Sequence, residues 1–404
     1  MGKYDFDKII DRRGTACIKY DGRRRMGRDD LLPMWVADMD FELPSEITDV
    51  LHARVDHGIF GYTDPDDAYF ETLDKWFRKR YKTPIKKEWL VITPGIVYAI
   101  GIAIRAVTEK GESVLIQEPV YYPFREIVED NDRVCVSNDL VYRNGRYEID
   151  FEDLEEKLKR PELKLMVISS PHNPVGKVFT RAELEKISRL CLENKVMLFA
   201  DEIHCDFIFK GREFTPFLSL GREDTGNVIV ATSPAKSFNI PGFQISNILI
   251  PDNGLRLKFR RQNSAAGYSQ PNLMGLTACK AAYDFGGEWL DELKDYLEGN
   301  LCFLRDYLRD NIPDVKLVEP DGTYLLWLDF SQVTNDRTEL RDLIVEKARL
   351  WLDAGRIFGG NSDLFERINI AVPRVVLKEA LERLKVAIQQ REALAAERLP
   401  NNPK

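Results

Sequence analysis

The middle of the chain alternates short apolar runs with longer amphipathic stretches. Each apolar run has the length and the β-branched content of a buried strand. The runs span residues 113–117, 163–169, 196–200, 227–232 and 245–250. Helical periodicity separates them, for example from Arg181 to Asn194. Strands that are buried on both faces and separated by helices are typical of a parallel sheet. The sequence therefore predicts an α/β fold with a mostly parallel central sheet flanked by helices.

Helical patterns precede and follow this central part. Upstream they cover residues 44–58, residues 70–81 and the stretch to Val107 that the breaker pair Pro94-Gly95 opens. Downstream the pattern predicts helices over Leu273–Phe285, Trp289–Asn311, Glu339–Ala354 and from Leu377, and strand-like runs over Thr323–Phe330 and Arg367–Val372.

The chain is longer than one hydrophobic core usually supports, since it has 404 residues, so we predict two domains. Residues 49–290 are expected to form the large domain and residues 291–404 a second, smaller α+β domain. Residues 1–48 are expected to be an arm that also contributes to the small domain. The polar tail beyond about Arg398 is expected to fray.

Composition excludes several classes of function. The 58 Lys and Arg against 66 Asp and Glu give a net charge of -8, which argues against a nucleic-acid partner. The six cysteines include no Cys-x-x-Cys pair, so neither a zinc site nor a redox site is predicted, and no other metal site is expected. No run approaches membrane-spanning length and the N-terminus has no apolar signal core, so we expect a cytoplasmic protein without a membrane partner.

Polar and aromatic clusters follow four of the five apolar runs. They are Glu118–Tyr122, Ser170–Pro174, Asp201–His204 and Ser233–Gly242. Strands of one parallel sheet bring such ends to one edge, where ligands collect. A lysine in a loop is usually a solvated charge, but one held at this edge can lose its proton and attack a carbonyl. Because the other clusters are expected at the same edge, Lys236 is a candidate catalytic residue.

Asn173, Asp201 and Lys236 together suit a pyridine cofactor that carries an aldehyde. Such a ring accepts electrons only while its nitrogen is protonated, and a nearby carboxylate such as Asp201 stabilises that cation. Lys236 would bind the aldehyde and, once substrate displaces it, move the α-proton of an amino acid. The cofactor phosphate needs N–H groups and hydroxyls, which Ile96 and Val97 at a helix start and Ser233 offer.

With these residues the sequence resembles the fold-type I enzymes dependent on pyridoxal 5'-phosphate (PLP), in particular the MalY/PatB group of C–S β-lyases. The resemblance runs from Trp35–Phe41 to Arg367–Arg374. The most specific motifs in this resemblance are Asp201-Glu202-Ile203-His204 and the stretch Lys236–Gln244. Departures from the wider superfamily are Gln244 in place of an arginine, Ala235 in place of a serine, and Pro234. They concern cofactor affinity rather than the chemistry of Lys236.

The resemblance implies a role for each candidate in the cofactor site. Lys236 is the lysine that joins the cofactor, Asp201 its pyridinium partner, and Asn173 the residue that bonds the phenolic oxygen. Tyr121 would stack on the ring. The phosphate ligands would be Ser233 and the N–H groups of Ile96 and Val97. His204 either lies beside the phenolic oxygen or is an ordinary core histidine.

The substrate side and the partner subunit are implied in the same way. Tyr62 matches a tyrosine that reaches the phosphate of the neighbouring subunit, which implies a homodimer. Arg374 either clamps the α-carboxylate of an amino-acid substrate or is an ordinary surface arginine, and we expect the clamp. Val36 and Ala37 would line the substrate side.

The resemblance favours a β-lyase that cleaves cystathionine or cysteine S-conjugates to a thiol, pyruvate and ammonia. The cofactor motifs serve an aminotransferase equally well, so that activity stays an alternative. A third hypothesis is a PLP-binding regulatory protein that acts chiefly by protein contact. It is the least favoured of the three, because a protein that only binds would not need Lys236.

Overall fold

The protein is described by a computed structural model that covers residues 2–221 and 225–398, with side chains as far as residue 393. The strands are, in chain order, β1 Leu32–Pro33, β2 Leu90–Thr93, β3 Ser113–Ile116, β4 Val134–Ser137, β5 Val141–Arg143, β6 Arg146–Glu148, β7 Leu163–Ser169, β8 Met197–Asp201, β9 Val228–Thr232, β10 Ser246–Leu249, β11 Lys316–Leu317, β12 Leu325–Asp329, β13 Leu350–Trp351, β14 Asp353–Ala354 and β15 Phe365–Asn369. The helices are α1 Ile18–Arg25, α2 Ser45–Asp56, α3 Asp67–Tyr81, α4 Ile96–Val107, α5 Pro123–Glu129, α6 Phe151–Leu158, α7 Arg181–Glu193, α8 Pro234–Ser237, α9 Asn253–Ala265, α10 Leu273–Phe285, α11 Gly287–Asn311, α12 Arg337–Arg341 and α13 Arg374–Arg398. The tail predicted to fray beyond Arg398 lies outside the described residues.

A seven-stranded sheet forms the centre, in the order β2-β10-β9-β8-β7-β3-β4. β3, β4, β7, β8 and β9 pair in parallel, whereas β10 runs antiparallel to both of its neighbours. β2 therefore runs in the same direction as β9. The prediction of a mostly parallel sheet flanked by helices is confirmed.

Both faces of this sheet are buried, which explains why its strands read as continuous apolar runs. Along β7, Leu165 and Val167 pack into a core that includes α4 and α9. Their neighbours Met166 and Ile168 pack into the larger core on the opposite face, with α7, α10 and α11. Each fully buried side chain of this kind stabilises the fold by about 1.5–3 kcal/mol.

A second, smaller sheet follows, in the order β11-β12-β15-β14, and its strands pair antiparallel. The long helices α11 and α13 pack against each other beside it. β1, near the N-terminus, pairs in parallel with β13, so Leu32 lies opposite Leu350. The N-terminal stretch thus contributes to the smaller unit, and the domain boundaries near residues 48 and 290 stay predictions.

The predicted helix from Glu339 to Ala354 is wrong in its second half. α12 continues as a π-helical turn over Asp342–Lys347 and then ends. The next residues become β13 and β14, which pair with β1 and β15. Strand pairing with distant parts of the chain has overridden the local helical periodicity.

No helix in the described ranges is long and apolar enough to cross a membrane.

Candidate active site

The carboxyl ends of the parallel strands bring the predicted clusters together at one edge of the sheet. Ser169 and Asp201 lie opposite each other at the ends of β7 and β8. The N–H of Ser170 donates to the carbonyl of Asp201 at 2.8 Å, and the N–H of Tyr121 donates to the carbonyl of Asn173 at 3.0 Å. Three of the four clusters are therefore joined by backbone hydrogen bonds.

Lys236 lies on the short helix α8, directly after β9. Ser233 caps this helix: its Oγ accepts from the N–H of Ala235 at 3.1 Å and donates to the carbonyl of Ile245 at 2.7 Å. The Nζ of Lys236 donates to the carbonyl of Ala37 at 2.6 Å. The bonds of Ser233 therefore fix the start of α8, and the bond to Ala37 fixes the side chain of Lys236.

Desolvation lowers the pKa of Lys236 to about 8. The carboxylates of Asp38 and Asp201 oppose this shift, and the guanidinium of Arg367 adds to it. A lysine amine with such a pKa is neutral in a useful fraction of molecules near neutral pH, which an ordinary lysine is not.

Asp201, the last residue of β8, is a buried carboxylate without a cationic partner at contact distance. Its Oδ1 accepts from the N–H of Ile203 at 3.0 Å, and it forms no ion pair within residues 2–221 and 225–398. Burial raises its pKa to about 7, although the N–H of Ile203 and the charge of Lys236 oppose the shift. A cation placed beside Asp201 would restore its ionised form.

Arg367 is the arginine that the structure brings to this edge. Its Nη1 donates to Oδ1 of Asn173 at 2.9 Å and its Nη2 to the carbonyl of Trp35 at 2.9 Å. It also forms an ion pair with Asp353, its register partner across β14 and β15. The guanidinium carbon lies 5.0 Å from the ring centroid of Phe358. Arg367 is 2% exposed, so the fork is rigidly held.

The structure does not support the predicted place of Arg374. This residue begins α13, and its side chain packs on α11: Nε donates to Asn300, and the guanidinium lies over the ring of Phe303 at 5.2 Å. Its backbone N–H donates to the hydroxyl of Tyr296 at 2.6 Å. By contrast, Arg367 is the arginine whose charge acts on Lys236, Tyr121 and His204.

A signal for Arg367 was present in the sequence. It stands inside the apolar run Arg367–Val372, where a buried guanidinium needs partners. The sequence alone does not show whether Arg367, at the start of the run, or Arg374, just after it, faces Lys236.

Two more predicted residues lie at the site. Burial raises the pKa of Tyr121 to about 12, so its hydroxyl stays protonated. His204 is 2% exposed, with its ring 5.8 Å from that of Tyr324, and burial lowers its pKa well below the usual range. Its Nδ1 has no hydrogen-bond partner within the described part of the chain. His204 is therefore a neutral imidazole beside Lys236.

The phosphate candidates are placed by strand direction. Ile96 and Val97 begin α4, which follows β2, and Ser233 follows β9. Since β2 and β9 run in the same direction, the start of α4 and Ser233 lie at the same edge as Asp201. The first N–H groups of a helix have no partner within it, and they favour an anion.

The remaining predicted residues fall into two groups. Val36 and Ala37 belong to a segment that crosses this edge, since the carbonyl of Ala37 accepts from Lys236 and that of Val36 from Asn369 at 2.7 Å. Tyr62 lies in the loop before α3 and is 93% exposed. The structure does not bring Tyr62 to Lys236 of its own chain.

This donor and acceptor set fits an aldehyde-bearing pyridine with a phosphate. The buried carboxylate of Asp201 lacks a cation, and the buried Nδ1 of His204 lacks a partner within the described residues. Both are costly arrangements for a protein to keep without a ligand. Lys236 supplies an amine that can lose its proton, and the helix start at Ile96 supplies the anion site.

Comparison with known proteins agrees with this geometry. The family described as aminotransferase class I and II matches residues 31–384. The chain belongs to the class I and II aminotransferase family. Within it the chain is a member of the MalY/PatB group, as its relatives indicate. Cystathionine beta-lyase PatB of Bacillus subtilis is 40% identical over 385 residues, which are 95% of this chain and 100% of PatB. Protein MalY of Escherichia coli is 33% identical over 96% of this chain and 99% of MalY.

A solved structure extends the likeness to the whole fold of this MalY/PatB member. Cystalysin from Treponema denticola, whose crystal structure contains a pyridoxal 5'-phosphate cofactor, superposes with a TM-score of 0.93. It is 35% identical, and the match covers 96% of this chain and 99% of cystalysin. The prediction of the PLP fold-type I architecture is confirmed.

Proposed function

We propose that the protein is a PLP-dependent C–S β-lyase that cleaves cystathionine or another cysteine S-conjugate to a thiol, pyruvate and ammonia. The observation that carries this proposal is the pairing of a low-pKa amine at Lys236 with a buried carboxylate at Asp201 that has no ion-pair partner among the described residues. The 40% identity with a protein named cystathionine beta-lyase supports the choice of reaction.

Several residues would hold the cofactor. Asp201 would face the ring nitrogen and keep it protonated, Asn173 would donate its amide to the phenolic oxygen, and Tyr121 would cover one face of the ring. The first N–H groups of α4 would bind the phosphate, and Ser233 would join them by turning its hydroxyl away from the Ile245 carbonyl. When bound, PLP supplies an electron sink for the pair left behind when the α-proton of the substrate is removed.

Lys236 would be the base that takes the α-proton of the substrate. Its pKa of about 8 leaves part of the amine neutral at physiological pH, and a general base works best when its pKa lies near the working pH. The Ala37 carbonyl, 2.6 Å from Nζ, accepts a hydrogen bond from the amine and so orients it. Lys236 then holds the proton next to the carbon from which it came.

Arg367 replaces Arg374 as the proposed binding group for the substrate α-carboxylate. A planar guanidinium can offer two parallel N–H donors to a carboxylate. Asn173, Asp353 and the Trp35 carbonyl fix the plane of this guanidinium before substrate arrives. The geometry of the clamp is therefore set in advance, which reduces the entropy lost on binding.

Tyr62 supports a homodimer with shared sites. It is nearly fully exposed, together with Ile59 and Phe60 of the same loop. Large apolar side chains exposed side by side suit a protein interface. We propose that this loop packs on a second copy of the chain and that the Tyr62 hydroxyl reaches the phosphate there. All six cysteines are free, in keeping with the reducing cytoplasm where we place the enzyme.

An absorbance spectrum of the purified protein with PLP, taken before and after addition of cystathionine, tests the proposal. A cofactor band together with pyruvate release is the expected result. A band that bleaches without pyruvate and returns with a 2-oxo acid would instead establish the aminotransferase activity that the family name allows. Absence of any band after PLP is supplied would refute the cofactor assignment and favour a regulatory binding protein.

A further inference from the structure

One segment of the N-terminal region, residues 35–41, crosses the active site with its backbone bonded to side chains. Its carbonyls at Trp35 and Ala37 accept from Arg367 at 2.9 Å and from Lys236 at 2.6 Å. Four further bonds come from two asparagine side chains: Asn369 donates to the carbonyls of Val36 and Asp38, both at 2.7 Å, and Asn239 donates to those of Met39 and Phe41 at 2.9 Å and 3.2 Å. We call this stretch the crossing segment. Its position determines what Lys236 and Arg367 touch.

Two carboxylates of the crossing segment are held by cations from the preceding N-terminal arm. Arg12 grips Asp38 with two hydrogen bonds, of 3.0 Å from Nη1 and 2.6 Å from Nη2. Its Nη1 also reaches Oδ1 of Asp40 at 2.8 Å and the carbonyl of Met39 at 3.1 Å. Arg12 therefore contacts three consecutive residues that follow Ala37 directly.

Lys19 and Tyr20 on α1 complete this network from the other side. The Nζ of Lys19 lies 2.9 Å from Oδ2 of Asp40, and the Tyr20 hydroxyl donates to the same oxygen at 2.8 Å. Lys19 is fully buried and Asp40 is 4% exposed. Burial alone would raise the pKa of Asp40, but Lys19 and Arg12 outweigh it and lower that pKa.

The network balances two cations against two carboxylates inside the protein. Buried charges need compensation, and loss of either cation leaves the two carboxylates with one positive charge between them. Packing also fixes α1. Gly22 lies so close to the ring of Trp351 that an added Cβ would be 3.2 Å from it. The Trp351 ring in turn stacks on that of Trp35, with 4.5 Å between the ring centroids. The arm is thus attached to both ends of the crossing segment.

We propose that Arg12, supported by Lys19, is a positioning residue of the active site. It holds Asp38 and Asp40 so that the Ala37 carbonyl meets the amine of Lys236 and the Trp35 carbonyl meets the guanidinium of Arg367. The inference rests on the proposed function for the roles of Lys236 and Arg367. The contacts themselves are made between residues of this chain, so part of the test does not depend on that function.

The test compares Arg12→Gln with Arg13→Gln, the same substitution at the next residue. Arg13 is a matched control, because its side chain is 62% exposed and pairs with Asp11 at the surface. The first readout is deuterium uptake by a peptide covering residues 35–41 in the cofactor-free protein. We expect faster uptake in Arg12→Gln and wild-type uptake in Arg13→Gln. Equal uptake in the two variants would overturn the proposal.

The second readout is kinetic, on the PLP-loaded enzyme. Misplacing the crossing segment should lower kcat/KM for cystathionine by about tenfold in Arg12→Gln, since small shifts at an active site have effects of this size. Arg12→Lys keeps the charge and loses the two-pronged grip, and it should restore part of the activity. A role confined to stability would instead lower the melting temperature and leave kcat/KM at 25 °C unchanged, which would also overturn the proposal.

The pH profile gives a third readout with a definite sign. Lys236 is faced by Asp38 from the crossing segment, Asp201 from β8 and Arg367 from β15. Without Arg12 the Asp38 charge is offset only by Lys19, at 3.9 Å, so the acid limb of kcat/KM should move to higher pH. If Arg12→Gln does not fold, Asp38→Asn breaks the same ion pair while keeping the side-chain shape. It should again raise deuterium uptake, and unchanged uptake there would refute the inference.

Failure of the lyase assignment would look different. In that case the wild-type protein releases no pyruvate, while the difference in deuterium uptake between Arg12→Gln and Arg13→Gln persists. An active wild-type enzyme with no such difference would leave the lyase assignment standing and remove Arg12 from it.

Discussion

Replacing Arg367 by lysine separates the two arginines that compete for the substrate carboxylate. The substitution keeps a positive charge next to Asp353, so that buried carboxylate keeps a partner and the fold should survive. It removes the planar fork, whose two nitrogens now bond Asn173 and the Trp35 carbonyl. Lysine can offer a carboxylate one donor direction where arginine offers two parallel ones.

The expected loss follows from the hydrogen bond that lysine cannot make. A hydrogen bond to a charged group contributes about 1.5–3 kcal/mol. Because each 1.4 kcal/mol is tenfold in affinity, KM for cystathionine should rise by about 10- to 100-fold. The kcat should fall less, since Lys236 and Asp201 are untouched and the carboxylate interaction exists before the reaction starts.

Steady-state kinetics of pyruvate release, with Arg374→Lys as the matched control, measure this effect. Arg374 packs on Asn300 and Phe303 of α11, so its replacement should leave KM within about twofold of wild type and lower mainly the thermal stability. Circular dichroism would establish that both variants are folded. The reverse outcome, a large rise in KM for Arg374→Lys and none for Arg367→Lys, would refute the reasoning from geometry.

Three further predictions concern the cofactor. Lys236→Ala should abolish pyruvate release and let PLP be removed by dialysis, while the oligomer, checked by size-exclusion chromatography, stays as in wild type. Between about pH 4 and pH 7, Asp201 keeps its proton in the folded protein and loses it in the unfolded chain. The free energy of unfolding therefore falls as pH rises through that window. The cofactor-free Asp201→Asn variant should therefore have a higher melting temperature than cofactor-free wild type at about pH 8, and the same melting temperature near about pH 4. It should also bind PLP more weakly. Tyr62→Phe should raise the PLP dissociation constant, and a mixture of Tyr62→Phe and Lys236→Ala chains should show whether the hydroxyl acts on its partner's site.

The central sheet was predictable because burial on both faces leaves a simple record in the sequence. Residues such as Val167 and Ile168 are apolar whichever way they point, so the strand at 163–169 reads as one run and its bounds coincide with β7. The order of clusters along the chain then placed Asn173, Asp201 and Lys236 at one edge. Because parallel strands all end at the same edge, this placement could be predicted before any contact between the three residues was known.

The errors arose where a distant pairing decides the outcome. Arg367 faces Asn173 because β14 and β15 align Asp353 with it, and no local pattern reports that register. The stretch after Lys347 leaves the helix because β13 pairs with Leu32 and Pro33, more than 300 residues away. In the N-terminal arm, the charged residues Arg12 and Lys19 resemble solvated residues in the sequence. Only the fold shows that Lys19 is fully buried.

The crossing segment links these observations, because its backbone carbonyls are bonded to the side chains that would carry out the reaction. A strand in a sheet is held chiefly by hydrogen bonds to the backbone of its neighbours. Residues 35–41 are bonded to the backbone of Ala371 through the N–H of Asp40 at 3.1 Å, and side chains hold the rest of the segment. Those side chains are Lys236, Tyr324, Arg367, Asn239 and Asn369, with Arg12 and Lys19 behind them. Any group that draws Lys236 or Arg367 to itself must therefore compete with a carbonyl of this segment. Cofactor and substrate binding should then alter the protection of residues 35–41 more than that of β7 or β8, although all three border the same site.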